Sequence, residues 1–177
     1  MKRTAFRVAG VTLAIALPGC GGNGNVENFT LVQPSADKQT VDIAPSGPSK
    51  GDVLYWDGPL TENGKEVGHI QGATETIALP SDLTWTKQVK PSGSVSSATE
   101  NLTLSKSTLF LGGDDTIISE GQIFYETKPG ATIKSNVPQI RSIIGGTGKY
   151  KFARGQMTIT KTATNAYEFR IEVNTGS

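Results

Sequence analysis

The sequence predicts an all-β domain, and three observations carry that reading. Glycine is abundant, at 21 of 177 residues, and a hydrophobic share of 36% with a charged share of 19% leaves few runs of good helix formers. Apolar and polar residues alternate with a period of two along most of the chain, and short clusters of Gly, Pro, Asn or Asp separate the runs. Nothing beyond the leader shows a helical period, an internal repeat or a coiled coil. About eight antiparallel strands in this length suit a closed barrel or a sandwich, and a barrel leaves no exposed edge to protect.

Residues 1–19 read as an export signal. Lys2, Arg3 and Arg7 form a positive start, and Val8 through Leu17 form an apolar run too short for a bilayer, which needs about 20 residues. Leu17-Pro18-Gly19-Cys20 then looks like a lipobox, where bacteria link a diacylglycerol to cysteine before cleavage. The plainer reading is a chance thiol at the end of an ordinary signal peptide. Cys20 is the single cysteine of the chain, which therefore uses none for disulfides. Under the lipobox reading the mature protein lies in the bacterial cell envelope, anchored to the membrane through Cys20 and facing the periplasm or cell exterior. At about 0.8 kcal/mol per buried CH₂, two or three acyl chains hold a protein on a membrane where one does not. Residues 20–26 are then the lipidated cysteine and a flexible tether, and residues 27–177 form one folded domain.

Removing the leader takes away three of the 17 basic residues and none of the 16 acids, so the remainder carries a formal net charge of −2. That balance predicts no general affinity for nucleic acid. Residues 134–170 are the exception, with seven basic residues and one acid, Glu168. Strand faces often carry such charge as solvated decoration; the sharper reading is a cationic mouth that attracts an anionic ligand.

Glu27 to Gln33 alternates, with Phe29 and Leu31 on one face, and is the first predicted strand. Pro34, Pro45 and Pro48 interrupt the next stretch of chain, leaving at most a short strand at Thr40 to Ala44. Asp52 to Asp57 is next, and Asn63-Gly64 signals a hairpin that returns as Glu66 to Ala73. Leu83 to Val89 alternates, and Pro91-Ser92-Gly93-Ser94 opens a polar loop. Asn101 to Leu111 and Thr116 to Thr127 are the longest strands, joined through Gly112-Gly113-Asp114-Asp115. Gln139 to Ile144 runs into Gly145-Gly146-Thr147-Gly148, and Gly155 to Thr162 comes after it. In the last strand Tyr167, Phe169, Ile171 and Val173 face one way while Glu168, Arg170 and Glu172 face the other.

Two segments carry more than composition. The first is Gly51-Asp52-Val53-Leu54-Tyr55-Trp56-Asp57-Gly58-Pro59-Leu60-Thr61-Glu62, continuing to Val67-Gly68-His69-Ile70-Gln71-Gly72. The second is Ile143-Ile144-Gly145-Gly146-Thr147-Gly148-Lys149-Tyr150, followed by Ala153-Arg154-Gly155. Their order and spacing resemble the dirigent proteins and, more distantly, the allene oxide cyclases. The resemblance implies a closed eight-stranded antiparallel barrel whose interior holds a small, mostly apolar ligand. It also implies that the ligand supplies the reactivity while the barrel supplies confinement and a few polar groups. Dimers and trimers both occur in these families, so a homo-oligomer is expected.

Carried over residue by residue, Asp57 matches an acidic or amide group that points into the pocket, and Arg154 matches the arginine after the glycine turn. These two are the candidates to polarise a ligand. Ile123 stands at the cyclases' pocket tyrosine, with Tyr125 two residues on. Tyr55, His69, Tyr125 and Tyr150 are the candidate ligand contacts, and the aromatic group that includes Trp56, Trp85 and Phe124 reads first as core. Glu120 and Glu126 share a face and make a candidate carboxylate pair, or a solvated one.

Several classes find no support. No helix follows the glycine turn and no Lys-Ser/Thr pair closes it, which argues against nucleotide binding. His69 is the only histidine, too little for a zinc site of the usual kind. No cofactor or metal is expected. The function expected is binding of a small apolar molecule and steering of its cyclisation or coupling. The alternative is a non-catalytic envelope lipoprotein, a carrier or protein-interaction module with a filled core; enzyme status stays open.

Overall fold

Pro34 ends the first strand, β1 (Val26–Gln33), and the chain resumes in the same direction as β2 (Asp37–Val41). Proline has no N–H to donate and holds its predecessor extended, so the ladder breaks there without the chain turning back. This computed structural model describes residues 25–44, 47–79, 82, 100–126 and 133–176. Its further strands are β3 (Val53–Glu62), β4 (Lys65–Ala78), β5 (Glu100–Phe110), β6 (Thr116–Glu126), β7 (Gln139–Thr147), β8 (Arg154–Lys161) and β9 (Tyr167–Asn174). The leader, Cys20, the strand expected at Leu83 to Val89 and the Pro91 to Ser94 loop lie outside the described residues.

From β2 to β9 each strand pairs antiparallel with the next, and β9 pairs with β1 from Val26↔Asn174 to Gln33↔Tyr167. The ring closes where β1 meets β3 at Val32↔Thr61, with the Thr61 hydroxyl donating to the Val32 carbonyl at 3.1 Å. β1 and β2 thus form one bent strand that lies on β9 first and on β3 afterwards. The result is the closed eight-stranded antiparallel barrel expected from the sequence.

Strand positions agree closely with the sequence over β5, β6, β8 and β9, whereas β4 continues past Ala73 to Ala78, β7 continues past Ile144 to Thr147, and two earlier strands also differ. The short strand expected at Thr40 to Ala44 is Asp37–Val41, pulled forward by its pairing with Val53–Asp57. β3 does not stop at Asp57 but continues through Gly58-Pro59 to Glu62. On the β1/β2 side, β3 is paired at Val53–Asp57 and again at Thr61, and Pro59 falls in the gap, where its missing N–H interrupts no ladder on that side. Asn63 (φ 51) and Gly64 (φ 79) then turn the hairpin, both in the left-handed region that a two-residue turn matched to strand twist requires.

One end of the barrel is solid. Here Leu60, Ile70, Leu109, Ile117 and Val173 are fully buried, and Tyr150, from a single 3-10 turn at Gly148–Tyr150, covers them. The Gly-Gly-Thr-Gly run belongs to this end: Gly145, Gly146 and Thr147, expected as a turn, continue β7 in its pairing with β6, and Gly148 opens the 3-10 turn. A Cβ at Gly146 would lie 1.9 Å from the Thr116 carbonyl oxygen, and Lys149 N donates to Asp115 at 2.9 Å. Both ends of the described chain emerge on the same side, tied by Thr175 N to the Asn25 carbonyl at 3.1 Å.

Inward positions follow from the pleat: Trp56, Gly58 and Leu60 on β3 face Ile70, Gly72 and Thr74 on β4. Gly72 is the mate of Trp56 in the ladder, and a Cβ there would sit 2.3 Å from the indole Cζ2 and 2.8 Å from the Lys106 carbonyl oxygen. The glycine therefore makes the space that the indole fills. Gly72→Ala is expected to destabilise the protein by roughly 1–3 kcal/mol, as overpacked cores do. Chemical denaturation measures that loss, and near-UV circular dichroism should show the displaced indole.

Candidate functional site

The opposite half of the barrel interior is built from two unlike walls. Along β4 to β7 the inward positions include Thr74, Ser105, Ser107, Ser119 and Arg141, all buried, beside Ile123 and Tyr125 of β6. Across from them β1, β8 and β9 present Leu31, Met157, Ile159, Phe169 and Ile171. The polar wall is cross-linked by its own hydroxyls. Trp56 Nε1 donates to Thr74 Oγ1 at 3.2 Å, Thr74 meets Ser105 at 3.0 Å, and Ser107 meets Ser119 at 2.7 Å. Gln139 reads the backbone beside it, accepting from Phe124 N at 2.6 Å and donating to the Phe124 carbonyl at 2.8 Å.

Between these walls a cavity of about 20 Å³ remains, close to the end where β1 stops and β9 starts. That is room for about one water molecule. Arg141, 2% exposed, lies on the cavity with Nη1 donating to Ser107 Oγ at 3.1 Å and its guanidinium 5.7 Å from the Trp56 ring centre. Its Nε has no partner, and neither has Nε2 of the equally buried Gln33. Lys38 closes the mouth, donating from Nζ to the Tyr167 hydroxyl at 3.1 Å.

Burial sets the electrostatics of this region. It lowers the Arg141 guanidinium to about 10, against the small opposing effect of Tyr125, so the group remains a cation at neutral pH. Lys38 is lowered by burial and then by Lys161. The Tyr125 phenol is raised by burial, which outweighs Arg141 and a hydrogen bond with Thr74. Tyr167 is raised by burial and then by Tyr125.

Of the residues expected to meet a ligand, Tyr125 lines the cavity and the others do not. The resemblance places Asp57 inside; Trp56 takes the inward slot, so the pleat turns Asp57 outward, where it lies 3.6 Å from His69 on the outer surface. Tyr55 is outward too, and 50% exposed. Arg154 sits at the Gly-Gly-Thr-Gly end, donating from Nη1 to the carbonyls of Ile144 at 2.6 Å and Ala153 at 2.7 Å, which fastens a turn. Tyr150 is at that same end, its hydroxyl donating to Glu27 at 3.3 Å. Asp57 and Arg154 are therefore not brought together. Glu120 faces outward beside Lys106 at 3.5 Å, and Trp85 and the Glu126 side chain lie outside the described residues.

The cavity residues that sequence reasoning missed are Gln33, Lys38, Trp56, Gln139, Arg141 and Tyr167. One signal existed: Gln139 and Arg141 share the parity of Ile143 and Gly145 on β7. A second lies across the ladder. Gly121 leaves space beside Arg141, since a Cβ there would stand 3.1 Å from the Arg141 Cα and 3.3 Å from its Cβ and Cγ.

No protein-family model and no curated protein matches the sequence. Among solved structures the chain is similar to pyocyanin demethylase, with a TM-score of 0.58 and 22% identity over 84% of this chain and 100% of that one. It is also similar to the Diels–Alderase AbmU from Streptomyces koyangensis, at 0.59 and 15% over 86% and 69% of the two chains. A pterocarpan synthase dirigent protein matches at 0.52 and 22%, over 84% and 83%. At these identities the likeness is one of fold, and the dirigent-like barrel read from the sequence is the fold that the chain adopts.

The two buried phenols give a measurable consequence. The unfolded chain releases their protons near the ordinary value of 10.0, whereas the native barrel holds them to higher pH. The stability they contribute is fully present below that pH and is lost as the pH rises through the native values. In an absorbance titration at pH 10, Tyr125→Phe and Tyr167→Phe are expected to leave the native phenolate signal unchanged. Each should reduce the signal of the unfolded chain.

Proposed function

We propose that this protein is an exported, lipid-anchored β-barrel that binds a small, largely apolar molecule in its interior and steers that molecule's cyclisation or coupling. The observation that carries the reading is the pair of orphaned polar donors, Gln33 Nε2 and Arg141 Nε, on one cavity inside a barrel that is otherwise well paired. Buried donors are nearly always satisfied, and a core that serves packing alone gains nothing from two that are not. Two unlike walls suit steering: Ile159 and Phe169 take the apolar body while the polar wall fixes its orientation, and confinement supplies the near-attack geometry. Support of another kind comes from the names of the similar barrels, a Diels–Alderase, a pterocarpan synthase dirigent protein and a demethylase of pyocyanin. Asp57 and Arg154 are assigned no ligand contact in this proposal.

A second reading, a carrier or interaction module without turnover, is favoured by the size of the cavity. About 20 Å³ means that the barrel is closed around its own side chains. A larger molecule needs the lining side chains to rearrange, Lys38 and Tyr167 among them.

Native mass spectrometry of residues 21–177 purified from the natural host separates the readings. A co-purifying small molecule is expected, and Ile123→Trp, whose indole exceeds the room left in the cavity, should reduce its occupancy about tenfold or more while lowering the thermal melt as overpacking does. A clean apo mass, with no binding from a panel of apolar cyclisation substrates, overturns the ligand reading and leaves the interaction module. The anchor has its own test. Cys20→Ser is expected to abolish incorporation of labelled palmitate and to move the protein from the membrane fraction to the soluble one. Unchanged membrane association in that variant removes the lipid anchor from the proposal.

A further inference from the structure

The buried polar atoms left unpaired beside the cavity are both donors. Arg141 Nε and Gln33 Nε2 are donors without acceptors, and Lys38 adds an ammonium at the mouth. Gln139, whose amide could have supplied an acceptor, is consumed by the backbone of Phe124. Among the described residues no Asp or Glu lines the cavity, and no carboxylate pairs with Arg141 or Lys38. A guanidinium taken out of water is ordinarily matched by a carboxylate, because a neutral hydroxyl and an aromatic face do not replace its hydration. Arg141 has only those two, Ser107 and Trp56. A water molecule can accept from both orphan donors but brings no charge.

The space around Arg141 is also arranged for it. Gly121 gives up a side chain beside it, and Gln33 lies against Gly58, where a Cβ would stand 2.7 Å from Nε2. The guanidinium and the amide thereby belong to two cavity-lining residues that keep unpaired N–H groups, among a lining that is otherwise aromatic and aliphatic apart from Lys38 and Gln139. We infer that the ligand of this barrel is an organic anion, an apolar or aromatic body bearing one carboxylate or delocalised oxyanion that sits on Arg141 and Gln33. This inference rests on the ligand-binding reading above and specifies the chemical class of what is bound. Lys38 acts at the mouth, steering the anion inward and lying over its entry beside Tyr167.

The test uses matched pairs of probes that differ only in the acidic group. 1-Naphthoate is compared with 1-naphthamide for a carboxylate, and 4-nitrophenolate with 4-nitroanisole for a delocalised oxyanion, by calorimetry on the mature chain. At least one anion is expected to bind about tenfold or more tightly than its neutral twin, as a charge-assisted contact does. Which pair shows the preference tells carboxylate from oxyanion. Arg141→Met should erase the preference while keeping the neutral twin's affinity, and should melt higher than the parent chain in the absence of probe, because it removes an uncompensated buried charge. Lys38→Met, which leaves the core intact, is the second variant and should lower the anion's association rate and its salt dependence. Equal affinity for both members of both pairs overturns the inference while leaving the ligand-binding reading intact. A preference that survives in Arg141→Met and Lys38→Met alike also overturns it. Failure of all four probes to bind removes the inference together with the reading beneath it.

Discussion

Closing the sheet between β1 and β3 fixes the facing of side chains throughout the barrel, because each strand's register is set by its neighbours around the whole ring. The contact itself is short, Val32 against Thr61, and it is made by a strand that Pro34 has bent so that it serves β9 and β3 in turn. Once that ring exists, a one-residue slip in any strand would exchange its inward and outward sets, which is why the alternation is so regular in β9. Trp56, Arg141 and Tyr125 are interior residues because of this parity, and Asp57 is an exterior one for the same reason. The nearly continuous pairing also leaves little backbone to bind anything, so recognition falls to side chains that point in.

Those side chains divide the interior lengthwise. Near the Gly-Gly-Thr-Gly run the core is apolar and filled, and stability resides there through burial of Leu60, Ile70, Leu109 and Ile117. Toward the other end the barrel carries hydroxyls, amides and a guanidinium in place of further apolar mass. Most are satisfied within the wall, and the few left over converge on one cavity. A protein that departs from good packing in one confined region, while keeping it everywhere else, shows where selection for something other than stability has acted.

Much of the fold was legible in the sequence because period-two alternation is a strong signal when one face is uniformly apolar. Tyr167, Phe169, Ile171 and Val173 gave both the strand and its inward face. The site was less legible because β7 breaks that rule. Ile140 and Ile144 are 48% and 43% exposed, while Gln139 and Arg141 are buried, so hydrophobicity along this strand points to the wrong face. Only pairing with β6 and β8, a long-range fact, settles which residues enter. The motifs that carry the family resemblance misled in a related way. Gly145 to Gly148 and Arg154 build the end of β7 and the 3-10 turn after it at the filled end, and packing of that kind says little about what a barrel holds. Of the seven basic residues over 134–170, Arg141 is interior, whereas Lys149 and Arg154 lie at the filled end and Arg170 is exposed beside Glu168.

The shared exit of the two chain ends gives the molecule a direction. Val26 starts β1 and Asn174 ends β9 beside the filled end, and the cavity lies toward the far one. Six residue steps separate Cys20 from Val26, a reach of at most about 20 Å even when fully extended. Under the proposed anchor the plugged floor of the barrel therefore rests toward the lipid headgroups, and Lys38 and Tyr167 look away from them. With the barrel so anchored, a molecule arriving at that mouth would come from the aqueous side rather than by lateral escape from the bilayer, and the barrel would be a cup standing on the membrane and not a drain set into it.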